Sequence, residues 1–136
     1  MKLYVGMGLT QAPKEFSKDF QNELKDDLRA IAGVEILNFI GLEEGTDKEV
    51  YQYDRDCTES ADLCIFIVDY PSIGVGIEIA LRLATGKPMI IFAEGDAKIT
   101  RMLTGLSVSE GVLFKRYQVT SEIGIHVNKW VTANIK

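Results

Sequence analysis

Cysteine is scarce in this chain: Cys57 and Cys64 are the two present, and neither their number nor their spacing suits a disulfide framework or a zinc site. Histidine is scarcer still. The one residue, His126, is far in sequence from the acidic positions discussed below, so packing or a surface position is its default reading. Cations are outnumbered, with Lys and Arg totalling 15 against 20 Asp and Glu, for a net charge of −5 and a pI near 4.9. That balance argues against a surface for nucleic acid polymers, whose binding rests on clustered Lys and Arg. No apolar run approaches about 18 residues, and residues 1–6 lack the pattern of a signal peptide. No membrane association and a cytoplasmic location are therefore expected. Neither a metal cluster nor a dinucleotide fingerprint is evident, so no metal and no cofactor are expected.

What is present is an ordinary globular balance, 46% hydrophobic and 26% charged over 136 residues, which predicts one domain spanning residues 1–136. Residues 3–7 read as a buried first strand running into a loop. Pro13 suits a first helical turn, and Phe16, Phe20, Leu24, Leu28 and Ile31 recur at spacings of three and four, which predicts an amphipathic helix over 13–32 closed by Gly33. A second strand is expected over 34–39, then a loop, then a polar helix over about 47–61 capped by Thr46 or Asp47. By itself that helix reads as a solvated outer face.

The stretch 62–69 is nearly all apolar, as in a central parallel strand covered on both faces. A glycine turn over 72–76 leads into a helix to Thr85, punctuated by Gly86-Lys87-Pro88; 89–92 read as a strand, 98–106 as a short helix, 112–117 as a strand and 122–134 as a closing helix. Five strands alternating with helices predict an α/β, doubly wound, flavodoxin- or Rossmann-like parallel sheet with helices on both faces and strand order 2-1-3-4-5. In that order the winding reverses between strands 1 and 3, and ligands bind outside their carboxyl ends. The loop starting at Gly6 and the turn from Ser72 to Gly76 then face one crevice.

The chain is organised around Asp69-Tyr70-Pro71-Ser72-Ile73-Gly74-Val75-Gly76-Ile77-Glu78, a strand-to-helix turn whose amides and helix N-terminus favour anions. Each feature has a plainer reading. Gly74 and Gly76 serve a tight turn, Ser72 is a helix cap, and Glu78 interacts with the helix dipole and with Arg82 four residues on. The dipole and Arg82 are also expected to keep Glu78 ionised, which is what a carboxylate nucleophile needs.

The run Tyr53-Asp54-Arg55-Asp56-Cys57-Thr58-Glu59-Ser60-Ala61-Asp62, the apolar strand, Pro71-Ser72-Ile73-Gly74-Val75-Gly76-Ile77-Glu78-Ile79 and Gly86-Lys87-Pro88 resemble the nucleoside 2-deoxyribosyltransferase superfamily. Within it, the sequence is most similar to the 2′-deoxynucleoside 5′-phosphate N-hydrolases. The resemblance implies that Glu78 is the nucleophile toward the anomeric carbon. Asp54 assists proton transfer to the departing base, and Tyr4 orients the glutamate. It further implies a homodimer in which Thr100 and Met102 complete a neighbouring subunit's pocket.

Serine at position 72, where the transferases usually carry aspartate, resembles the phosphate-binding hydrolases. The first loop, Gly6-Met7-Gly8-Leu9-Thr10-Gln11, lacks the serine and arginine that grip phosphate in those enzymes. Gly6, Gly8, Thr10, Ser72, Gly74, Gly76, Thr100 and Met102 are thus the expected substrate-binding set. The expected activity is hydrolysis of a (2′-deoxy)nucleoside 5′-monophosphate to base and sugar phosphate. Deoxyribosyl transfer between bases and non-catalytic nucleotide binding stand as alternatives.

Overall fold

The computed structural model describes residues 1–8 and 12–135. The elements are β1 (Lys2–Met7), α1 (Lys14–Arg29), β2 (Glu35–Ile36), α2 (Asp47–Ser60), β3 (Leu63–Ile67), α3 (Ile73–Thr85), β4 (Met89–Glu94), α4 (Arg101–Leu106), β5 (Val112–Tyr117) and α5 (Ser121–Asn134). The five strands form one sheet in the order β2-β1-β3-β4-β5. Every pairing is parallel, as the alternation of strands and helices predicted.

Strand alternation divides the interior into two cores. On one face Leu3, Val5, Leu63, Ile65 and Ile67 pack with Phe20, Leu24 and Leu28 of α1 and Ile123, Val127 and Val131 of α5. On the other, Tyr4, Cys64, Phe66 and Val68 pack with Cys57 and Ala61 of α2 and Val75 and Ile79 of α3. Since successive strand residues point to opposite faces, Tyr4 and Gly6 necessarily look toward α2 and α3. The two helices that carry Asp54 and Glu78 are therefore the two that cover Tyr4.

Local chemistry accounts for most element ends. Thr46 caps α2 by accepting the Glu49 N–H at 3.2 Å, and Ser72 caps α3 by accepting the Val75 N–H at 3.2 Å. Gly86, with φ 69°, ends α3 in the left-handed conformation. Pro13 stands just before the first helical residue of α1 with ψ 131°, outside the first turn in which it was expected. The helix closes at Arg29, three residues earlier than the sequence suggested. The side chain of Phe16, part of its expected apolar stripe, lies outside the described residues.

The second strand departs most from expectation, pairing over two residues where 34–39 looked extended. Beyond Leu37, whose N–H still reaches Leu3 O at 2.8 Å, the chain turns away. Ile40 there has φ 68° and Gly41 φ 87°. A β-branched residue in that region is strained by about 1–3 kcal/mol, an expense the surroundings must offset. Ile40 packs against the first core, which helps to hold it. Here a tertiary contact, made by the next two residues with α2, overrides strand propensity.

Arg82 is fully buried, and its guanidinium is spent on main-chain carbonyls. It donates to Thr58 O (3.0 Å), Ala61 O (2.7 Å), Asp62 O (3.1 Å) and Pro88 O (2.8 Å). One side chain of α3 thus satisfies the C-terminal carbonyls of α2 and ties them to the starts of β3 and β4. Its expected pairing with Glu78 does not form, because the guanidinium turns beneath the end of α2.

Candidate active site

Three acidic or phenolic groups meet where α2 and α3 cover the even-numbered side of β1. Tyr4 is fully buried, whereas Asp54 and Glu78 are half-buried. Glu78 lies against the main chain of β1. A Cβ added at Gly6 would stand 2.9 Å from Glu78 Oε2 and 2.7 Å from Phe66 Cδ1, so only glycine admits the carboxylate this close. Tyr4 Oη and Glu78 Oε2 are both shielded from solvent, and neither has a well-formed hydrogen bond in the resting arrangement. They are nevertheless close enough for the hydroxyl to favour the Glu78 anion. Two buried, underused polar atoms facing each other are costly unless a third group completes the set.

Burial dominates the ionisation of this group. Desolvation pushes the Glu78 carboxyl from 4.5 up to about 7; the Tyr4 hydroxyl opposes the shift and the Asp54 charge adds to it. The sequence expectation of a carboxylate kept ionised by Arg82 and the helix dipole is thus corrected. Arg82 is engaged elsewhere, and Glu78 is the sixth residue of α3, beyond the first turn where the dipole acts strongly. Burial likewise raises Asp54, opposed by a hydrogen bond from the Leu42 N–H. Tyr4 is held neutral by burial and by the nearby Glu78 and Asp54 charges. Cys57, one turn beyond Asp54 and buried, is raised by desolvation and senses both carboxylates.

The turn bearing Ser72 also meets the first loop. A Cβ at Gly8 would lie 2.5 Å from the Ser72 Cβ, so the ends of β1 and β3 converge at the reversal of winding, as the strand order requires. Ser72 Oγ is the α3 cap. Gly74 and Gly76 are exposed, and a Cβ at Gly76 would touch nothing within 4 Å, so nothing in the described chain demands glycine there. Thr10 lies outside the described residues.

Thr100 and Met102 stand apart from the carboxylates. With Ser72, Gly76, Ala80 and Leu83 they line a cavity of about 510 Å³ between α3 and α4. Neither Glu78 nor Asp54 is among the residues that line it, although Val75 and Ile79, on the turns either side of Glu78, are. Thr100 caps α4, while Met102 is 82% exposed.

Several contributors escaped the sequence reading. The Gly41–Leu42 main chain lies on Asp54, and nothing in the local pattern announced it. Asp69 accepts hydrogen bonds from Glu94 N at 2.7 Å and from the Tyr117 hydroxyl, tying the end of β3 to β4 and β5. His126 stacks at a tilt on Phe92, 6.1 Å between centroids, in the core of the opposite face. Cys57 and Cys64 are free thiols. Among the described residues no group of three or more His, Cys, Asp or Glu is placed to hold a metal, and no helix is long and apolar enough to cross a membrane.

No family model matches the chain. A protein from Thermofilum pendens, provisionally assigned as 2′-deoxynucleoside 5′-phosphate N-hydrolase 1, is 39% identical over 71 residues, covering 50% of each chain. The chain therefore spans about half the length of that relative. Among solved structures, a CMP N-glycosidase of Clostridium botulinum superposes with a TM-score of 0.77 at 22% identity, covering 96% of this chain and 99% of that one. A 2-deoxyribosyltransferase of Bacillus psychrosaccharolyticus gives 0.63 at 18% identity, over 91% and 90% of the two chains. The likeness thus holds in fold over nearly the whole chain, and in sequence, to the Thermofilum protein, over half of it.

Proposed function

We propose that this chain is an N-glycosidase that hydrolyses a (2′-deoxy)nucleoside 5′-monophosphate to free base and sugar phosphate. The observation that carries the reading is the half-buried Glu78 carboxylate, with Oε2 unpartnered against Tyr4 and the Asp54 charge within electrostatic reach. Breaking an N-glycosidic bond leaves positive charge on the sugar and negative charge on the base, and paired carboxyls answer both.

In this mechanism the two carboxyls work with one shared proton: Asp54 holds it while ionised Glu78 attacks the anomeric carbon, and passes it to the departing base as the C–N bond breaks. Asp54, now a carboxylate, takes a proton from water. The resulting hydroxide equivalent attacks the glycosyl ester, releasing the sugar phosphate and restoring Glu78. Tyr4, held neutral, donates a hydrogen bond that orients the glutamate. Ser72 and the amides at the start of α3 receive the phosphate.

Thr100 and Met102 line a cavity that neither Glu78 nor Asp54 lines, and in this reading a second copy brings them to the chemistry. The exposure of Ile73 (86%) and Met102 (82%) beside the cavity supports a homodimer closing over that face. One observation favours deoxyribosyl transfer instead. The first loop, residues 6–11, contains no cationic side chain to pair with phosphate, which suits an unphosphorylated nucleoside.

A product screen over nucleosides and their 5′-monophosphates, with and without an acceptor base, tests both readings. Base release from monophosphates, independent of acceptor, is the expected result. New nucleoside formed faster than free sugar points to transfer, and tight binding without base release to a nucleotide-binding protein.

A further inference from the structure

The segment between β2 and α2 makes an unusual approach to Asp54. Gly41 is buried with φ 87°, and a Cβ built on it would stand 2.5 Å from Asp54 Oδ1 and 2.7 Å from Oδ2, inside contact distance of both oxygens. The next residue, Leu42, donates its N–H to Asp54 Oδ1 at 2.9 Å. The preceding residue, Ile40, adopts φ 68°, and it is the one non-glycine residue with positive φ among those described. Strain of this kind persists where surrounding structure over-determines it, and it concentrates at functional sites. Here its consequence is to lay main chain directly on one carboxylate.

We infer that the turn at residues 40–42 is the positioning element of Asp54, with the bare Cα of Gly41 and the Leu42 N–H fixing Oδ1 as an acceptor and leaving Oδ2 to carry the exchangeable proton. An oxygen that accepts an N–H at 2.9 Å is the poorer place for a proton, because protonation there brings two hydrogens together. The turn therefore chooses which oxygen acts as the acid. The assignment of Asp54 as proton donor rests on the reading above; the orientation of its carboxyl does not.

The same loop supplies its own control. Gly45, with φ 127°, is strained by any side chain, but its nearest neighbours belong to Glu49 and Leu42 and not to Asp54. In ¹⁵N- and ¹³C-labelled protein, the Leu42 amide proton is expected to titrate with the same midpoint as the Asp54 side-chain carboxyl carbon. It should become flat in Asp54→Asn and survive in Glu78→Gln, which removes the other nearby titrating carboxyl. Gly41→Ala should abolish the Leu42 titration, move the Asp54 midpoint upward and lower kcat by about tenfold or more, the scale of a misplaced acid. Gly45→Ala should lose stability yet keep the Leu42 titration and kcat.

A Leu42 amide that ignores Asp54 in the unsubstituted protein overturns the inference, even where Gly41→Ala fails to fold. Equal effects of Gly41→Ala and Gly45→Ala on the titration overturn it as well. If no N-glycoside is cleaved, the proposed function falls, while the titrations still decide the role of the turn.

Discussion

Replacing Glu78 with glutamine should stabilise this protein while abolishing its activity, and the gain should depend on pH. Desolvation raises the Glu78 carboxyl from its ordinary 4.5 to about 7 in the folded chain. Between those values the folded state binds more protons than the unfolded one, so wild-type stability falls as pH rises through the window from about 4.5 to about 7. At about 1.36 kcal/mol per tenfold change in proton affinity, the full cost above pH 7 is about 3 kcal/mol, and solvent access to a half-buried group trims it to about 2 kcal/mol. Glutamine carries no charge at any of these pH values and retains a carbonyl for the Tyr4 hydroxyl.

Urea denaturation at pH 5 and pH 8 measures the difference. The variant should be near wild type at pH 5 and more stable by about 2 kcal/mol at pH 8, with unchanged m-value. The same stability difference at both pH values would falsify the account of Glu78 as a desolvated carboxylate. Retained N-glycoside cleavage by the variant would remove it from the proposed mechanism.

If Glu78 and Asp54 work with one shared proton, kcat/KM should fall as pH rises through about 7, where that proton leaves, and a profile that is flat or still rising through that range would remove the shared proton from the mechanism. Arg82→Met leaves the carbonyls of Thr58, Ala61, Asp62 and Pro88 without their donor, and it should cost about 3–5 kcal/mol in denaturant unfolding. A loss under 1 kcal/mol would show that water replaces the guanidinium. Gly6→Ala places a methyl 2.7 Å from Phe66 Cδ1 and 2.9 Å from Glu78 Oε2, so it should lower Tm and cut base release together; an unaffected variant would mean that β1 yields easily. Met102→Lys puts charge on the exposed apolar rim and should yield a folded monomer in sedimentation, whereas an unchanged sedimentation coefficient argues against closure over that face.

The fold was legible because its signals are local and repeated. Alternating apolar strands and amphipathic helices require parallel crossovers, and the glycine turn after β3 marked the crevice. The strand order and the caps at Thr46 and Ser72 match the structure. Where the reading missed, a distant contact had outweighed a neighbouring preference. Asn38 and Phe39 look extended but leave the sheet as the chain turns to bring Gly41 and Leu42 onto Asp54, and Arg82 sits four residues after Glu78 yet turns to the carbonyls of Thr58, Ala61, Asp62 and Pro88.

By itself, then, the sequence determined the layers, the strand order and the identity of the acidic residues that the resemblance singles out. Periodicities of 2 and 3.6 decide which face each residue takes, whatever its distant neighbours are. Tertiary structure alone decided the proton affinity of Glu78, the placing of Thr100 and Met102 on a cavity that Glu78 does not line, and the turn that holds Asp54 by one oxygen. Those properties depend on how much water and which main-chain groups surround a side chain, and both are set by segments far apart along the chain.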